Sequence, residues 1–176
     1  MEAIVAVYSD WGIGCCGTQP VVVPEDRKHF RDVTAGAAVI VGRKTLADFP
    51  GGKPLENRVN IVITSQDIAI EGATVVHSVE EALAEAEKTQ RCLCIGGESV
   101  YRQMFPYIDR VHVTKVEARP ESDAFFPDLD ADPAWHIADE GEEREHEGLR
   151  YRFMVYERIC ADEAASSSWW WLPAFS

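Results

Sequence analysis

Short apolar runs rich in β-branched residues recur along residues 3–117, with helix-forming stretches between several of them. The runs are AIVAV (3–7), AAVIV (37–41), VNIVIT (59–64), ATVV (73–76), RCLCI (91–95) and RVHVTKVE (110–117). Near-continuous apolar strands bury both faces of a sheet, and alternation with helices makes that sheet mainly parallel, with helices on both faces. PEDRKHFRDVT opens with Pro24, whose missing N–H is harmless in a first helical turn. SVEEALAEAEK (78–88) places Ser78 three residues before Glu81, a capping box. SVYRQMF (99–105) follows a glycine pair. The last runs, AWHIAD (134–139) and LRYRFMVYERI (149–159), have no helix between them. They read as an antiparallel hairpin closing the sheet, joined by an acidic loop at 140–148.

With 176 residues the chain builds one compact α/β domain, here assigned to 1–159. Residues 160–176 are set apart as a Ser/Trp-rich, non-catalytic extension. They are either a loose terminus or a segment that docks Trp169, Trp170 and Trp171 on an apolar patch.

Charge narrows the partners. The net charge is −13, which disfavours nucleic acid and anionic membranes, since both call for basic surface. Residues 1–70 nevertheless hold 7 basic and 8 acidic side chains, so an anionic ligand meets least repulsion there. The start, MEAIVAVYSD, does not read as a signal peptide, and no run approaches the roughly 20 apolar residues of a membrane span. Cys15, Cys16, Cys92, Cys94 and Cys160 suggest no disulfide framework. With no C-x-x-C or H-x-x-x-H spacing, the expectation is free thiols in the cytoplasm and no metal site.

Two turns have the strand–glycine–helix form suited to phosphate. One is VIVGRKT, in which Gly42 precedes Arg43, Lys44 and Thr45. The other is CLCIGGESVY, in which Gly96 and Gly97 precede Glu98, Ser99, Val100 and Tyr101. Unpaired helix N–H groups and the absence of a Cβ let an anion approach the backbone. Neither turn matches G-x-G-x-x-G or the P-loop, and each alone is compatible with an ordinary tight turn. Together they make a dinucleotide plausible. Asp26 lies in the first turn of the Pro24 helix, beside an apolar side marked by Val23, Phe30 and Val33. It either stabilises the helix dipole or grips a cationic, amidine-like group in a pocket.

Taken together these pieces resemble the bacterial chromosomal dihydrofolate reductases over about residues 1–159. The resemblance rests on IVAV followed by GIG, P-x-x-x-PEDRKHFR-x-x-T, VIVGRKT, NRVNIVITS, IGGESVY, VHVTKVEA and DAFFPD, in the family's order. It implies an eight-stranded, mostly parallel sheet with a C-terminal antiparallel hairpin. It also implies NADPH-dependent reduction of 7,8-dihydrofolate to tetrahydrofolate. Hydride would pass from nicotinamide C4 to pterin C6, and N5 would take its proton through water. The implied partners are dihydrofolate and antifolate-type small molecules, and the implied state is a monomer. Two alternatives stand beside it: a related reductase of riboflavin synthesis, and a non-catalytic ligand-binding paralogue.

Carried over by position, the resemblance makes Asp26 the catalytic carboxylate that binds the pterin 2-amino and N3 groups, helped by Thr114. Ile4, Val5 and Ile95 would line the pterin and nicotinamide pocket. Phe30 would pack on the pterin and benzoyl rings, with Phe49 and Leu55 opposite, and Arg58 would hold the substrate's glutamate carboxylate. Arg27 departs from the family pattern, standing where an apolar residue commonly lines the substrate tail, and it either reaches the benzoyl-glutamate or faces solvent. Gly42, Arg43, Lys44 and Thr45 would grip one side of the NADPH phosphates, with Ser65 near the 2′-phosphate. Gly96, Gly97, Ser99, Val100 and Tyr101 would grip the other, across a cis Gly96–Gly97 bond. Ala6, Ile13, Gly14, Thr64 and Glu98 also belong to the cofactor side. Residues 9–23 would form a mobile loop over nicotinamide. Within it, Val21 stands where the family usually has Trp, and Cys15–Cys16 is unusual.

Overall fold

The computed structural model describes residues 1–160; the question of Trp169, Trp170 and Trp171 lies outside the described residues. The strands are β1 (Glu2–Val7), β2 (Gly12–Gly14), β3 (Ala38–Gly42), β4 (Val59–Ile63), β5 (Ala73–Val76), β6 (Cys92–Gly96), β7 (Arg110–Val116), β8 (Ala124–Phe125), β9 (Trp135–Glu140), β10 (Arg144–His146) and β11 (Leu149–Arg158). The α-helices are α1 (Pro24–Thr34), α2 (Arg43–Ala47), α3 (Val79–Glu87) and α4 (Glu98–Met104). The main sheet runs β10-β11-β7-β1-β6-β3-β4-β5, with β9 also paired to β11, and β2 and β8 form a separate pair. Pairings from β7 through β5 are parallel, whereas β11 is antiparallel to β7, β9 and β10. Because β9 and β10 occupy successive stretches along one edge of β11, the sheet has eight strand positions.

The period-2 alternation of the strands sorts two cores. Ala38 and Ile40 face one core with Ala82 and Ala86 of α3 and Val100, Tyr101 and Met104 of α4. Val39 and Val41 face the other with Leu46 of α2 and, at its margin, Phe30 and Val33 of α1. Ile40, Ile61 and Leu93 are completely buried, each contributing about 2 kcal/mol of apolar transfer. The capping box of α3 forms with a shift: Ser78 Oγ accepts from Glu81 N at 3.1 Å, while Glu81 Oε2 accepts from His77 N at 2.9 Å.

The closing hairpin differs from its expected form. Instead of an acidic loop over 140–148, β9 runs to Glu140, the Gly141 N–H donates to Phe153 O, and the edge resumes as β10. It turns through Glu147 and Gly148 alone, at φ 50° and 80°. Two consecutive left-handed residues suit the twist of a tight hairpin. Acidic side chains of this segment face arginines of β11: Glu143 lies 3.7 Å from both Arg150 and Arg152, and Glu140 also pairs with Arg152.

Candidate active site

Adjacent parallel strands β3 and β6 continue into helices on opposite sheet faces, α2 on one and α4 on the other. Such a divergence opens a crevice at the carboxyl ends of the strands, where open α/β sheets place ligands. The two glycine turns meet there. A Cβ on Gly42 would lie 3.1 Å from Val100 Cγ2, and one on Gly97 would lie 2.8 Å from Thr45 Oγ1. Gly96 has φ +113°, and a Cβ there would press on the Tyr101 ring at 3.1 Å. The Gly96–Gly97 bond is cis, as the resemblance implied. The glycines thus let the two turns pack directly against each other, with Val100, Thr45 and Tyr101 filling the space where their Cβ atoms would lie.

Asp26 projects from the first turn of α1 toward β7, where the buried Thr114 hydroxyl donates to its Oδ1 at 2.6 Å. Burial raises the Asp26 pKa above its ordinary value, and the Thr114 hydrogen bond opposes that rise. The β1–β7 register sets Ala6 beside Thr114 and Ile4 beside His112. Ile4 and Ile95 share one cluster with the half-buried Phe30, Phe49 and Leu55. Four elements and the 49–55 segment therefore bring the carboxylate's helix and the expected apolar walls to one side of the sheet.

Val5 is the exception among those wall residues. Its side chain lies in the opposite core with Val7 and Val113, because successive residues of a strand alternate faces. Only its backbone can belong to the Asp26 side. Tyr101 and Val100 are likewise buried, and the Tyr101 hydroxyl donates to Ile4 O at 2.6 Å, tying α4 to β1. Glu98 Oε1 accepts from Arg102 and from Phe125 N, so its carboxylate is committed within the protein.

The cations line the rim. Arg58 is fixed by bonds from Nε to Thr34 Oγ1 (2.9 Å), from Nη1 to Glu56 O (2.7 Å) and from Nη2 to Arg31 O (3.0 Å). It borders a cleft with Lys53, Leu55 and Asn60. Arg27 and Lys44 are exposed, and Arg43 and Thr45 are half-buried. Thr64 is buried at the end of β4, next to exposed Ser65; Ser99 is also exposed. Ile13 and buried Gly14 lie in β2.

Two positioning residues escaped sequence reasoning. The Tyr8 hydroxyl donates to Val21 O at 2.8 Å and accepts from Val21 N at 3.0 Å, clamping the chain just before α1. Asn60, 2% exposed, likewise holds both backbone groups of Leu55, at 2.9 and 3.0 Å. The Asn60 signal was visible: a lone amide inside VNIVIT must satisfy its hydrogen bonds. Tyr8 gave no such signal.

Comparison with known proteins agrees with this geometry. The dihydrofolate reductase family model matches residues 1–158. The dihydrofolate reductase of Bacillus subtilis is 36% identical over 92% of this chain and 96% of its own length. That of Mycobacterium tuberculosis is 40% identical over 83% and 90%. A solved Enterococcus faecalis dihydrofolate reductase, complexed with NADP(H) and RAB-propyl, superposes with a TM-score of 0.80 at 34% identity, covering 89% of this chain and 95% of that one. With the family model spanning the whole described domain, the chain belongs to the dihydrofolate reductase family.

Proposed function

We propose that the Asp26 pocket and the two glycine turns work as one site, in which this dihydrofolate reductase reduces 7,8-dihydrofolate to 5,6,7,8-tetrahydrofolate with NADPH. The observation that carries the assignment is the half-buried Asp26, held by the buried Thr114 hydroxyl and borne on the helix that also carries Phe30 of the apolar wall. A carboxylate there binds a flat heterocycle bearing adjacent N–H donors, such as the pterin 2-amino and N3 groups, by paired charge-assisted hydrogen bonds. Thr114 fixes the orientation of Asp26. Phe30, Phe49 and Leu55 sandwich the rings and tail and exclude water, while Ile4 and Ile95 form the floor. Arg58, held by three bonds, presents its guanidinium to the glutamate carboxylate of the substrate.

The close meeting of the two turns at Gly42, Gly96 and Gly97 fits a dinucleotide whose phosphates lie between them, with Arg43, Lys44, Thr45, Ser65 and Ser99 at its margins. Bound NADPH supplies the hydride, from nicotinamide C4 to pterin C6. Asp26 stabilises the pterin electrostatically, and the proton for N5 arrives through water. Ala6, Ile13 and Gly14 line the nicotinamide end. The protein acts as a cytoplasmic monomer on small molecules; among the described residues no helix is long and apolar enough to cross a membrane.

The test is NADPH oxidation by the purified protein with dihydrofolate present. Turnover that requires both is expected. NADPH binding without turnover would favour a ligand-binding paralogue, and turnover only with a ribitylamino-pyrimidine would favour the riboflavin-type reductase.

A further inference from the structure

Cys15 and Cys16 place their Sγ atoms 3.7 Å apart just beyond β2. Cys15 is half-buried and Cys16 exposed, so both are open to solutes. The Asp123 carboxylate joins them: one donor atom from each residue lies within 4.8 Å of the others. None of these side chains has a part in the folate or NADPH site.

The backbone holds this cluster in place. Cys15 and Thr18 exchange amide–carbonyl bonds of 2.9 and 3.1 Å across a turn whose central residues, Cys16 and Gly17, have φ 55° and 81°. Cys16 N–H donates to Asp123 Oδ2 at 3.0 Å, and Asp123 N–H donates to Gly14 O at 3.0 Å. The donors are therefore collected by hydrogen bonds that need no ligand. Two thiolates on one tetrahedral Zn²⁺, each at about 2.3 Å, stand about 3.8 Å apart, close to the separation observed. Thiolates select soft cations over Mg²⁺ or Ca²⁺, and nearby Glu121 adds further negative charge.

We propose that Cys15, Cys16 and Asp123 form a binding site for a soft divalent cation of the Zn²⁺ or Cd²⁺ kind, with water completing the coordination. Binding forms two metal–sulfur bonds and one metal–oxygen bond, releases the two thiol protons to solvent, and changes no oxidation state. The cation ties the turn after β2 to the segment preceding β8. On the proposed function, which alone makes this segment a cover for nicotinamide, the bound cation also restrains that cover. Metal-site spacing rules look for C-x-x-C and pass over this pair, because its third ligand comes from 107 residues away.

The test is Cd²⁺ titration of the full chain carrying Cys160→Ser, kept reduced, with the ultraviolet cadmium–thiolate absorption as the signal. One cadmium per chain is expected. Cys15→Ser and Cys16→Ser should each diminish the thiolate band and weaken binding at least about 100-fold, beyond what loss of an outer-shell partner typically costs. Asp123→Asn should keep the band with weaker binding. In the parent, cadmium should slow amide exchange across residues 14–18. No stoichiometric binding, or an undiminished band in both serine variants, would overturn the site. None of these signals depends on turnover, so failure here is distinct from failure of the reductase assignment.

Discussion

Thr114 Oγ1 donates to Asp26 Oδ1 at 2.6 Å, joining residues 88 positions apart in the chain. The hydroxyl is buried, and the carboxylate it holds is raised in pKa chiefly by burial. A carboxyl group raised by folding binds protons more tightly in the native state than in the unfolded one. Stability is therefore lost as pH climbs from the ordinary carboxylate range through the native pKa. The ligand-free fold bears that loss at neutral pH, and a ligand with N–H donors offsets it. Site and stability pull in opposite directions at Asp26.

Thr114→Val keeps the volume and removes the donor. The KM for dihydrofolate should rise about tenfold, the scale of a hydrogen bond to a charged group. Because that bond lowers the Asp26 pKa, the acidic limb of the kcat/KM profile should move to higher pH. Thr114→Ser should restore both. An unchanged pH profile would mean that Thr114 serves packing alone.

Gly97→Ala tests the junction of the two turns. The new Cβ meets Thr45 Oγ1 at 2.8 Å, so the Thr45 side chain or one of the turns must shift. NADPH binding, followed by fluorescence titration, should weaken about tenfold, corresponding to overpacking strain of about 1.4 kcal/mol. Removing the obstructing hydroxyl by Thr45→Ala should be less harmful in that background than in the parent, a coupling visible in a double-mutant cycle.

Arg27→Leu addresses the exposed cation on α1. If Arg27 reaches the substrate tail, the KM for dihydrofolate should rise about two- to fivefold, the strength of an exposed ion pair. Inhibition by antifolates lacking a glutamate tail should not weaken in step. An unchanged ratio of KM to inhibition constant would remove Arg27 from the site.

Away from the site, Glu2 receives both Arg91 (2.8 and 2.9 Å) and lies 2.6 Å from His112 Nε2. The Arg91 bond, then the His112 bond, hold its carboxyl well below the usual range. The sign is opposite to that of Asp26: the stabilisation is present above the unfolded carboxylate pKa and lost on acidification through the native one. Glu2→Gln should lower stability by about 1 kcal/mol near neutrality. In denaturant titrations at successive pH values the difference should shrink toward strong acid.

Much of this was legible because periodicity reports burial directly. The apolar runs became β1 and β3–β7, and the glycine turns became the two strand ends that meet at the crevice. Less visible was what depends on register and turn geometry. Val5 fell on the opposite face from Ile4 because a strand alternates, a fact the family pattern alone does not apply residue by residue. The 140–148 segment looked like a loop because its acids hide a strand whose partners, Arg150 and Arg152, only the register reveals. The Tyr8 clamp on Val21 has no local signature, since the phenol joins backbone groups 13 residues away.

Asp26→Asn tests the central claim most directly, because it keeps an acceptor for Thr114 and removes the charge. NADPH oxidation with saturating dihydrofolate should fall about 100-fold or more at neutral pH, as loss of a preorganised electrostatic contact implies. NADPH affinity should stay near the parent value, and the ligand-free melting temperature should rise. Parent-like turnover in a folded variant that still binds NADPH would contradict the assignment of this carboxylate.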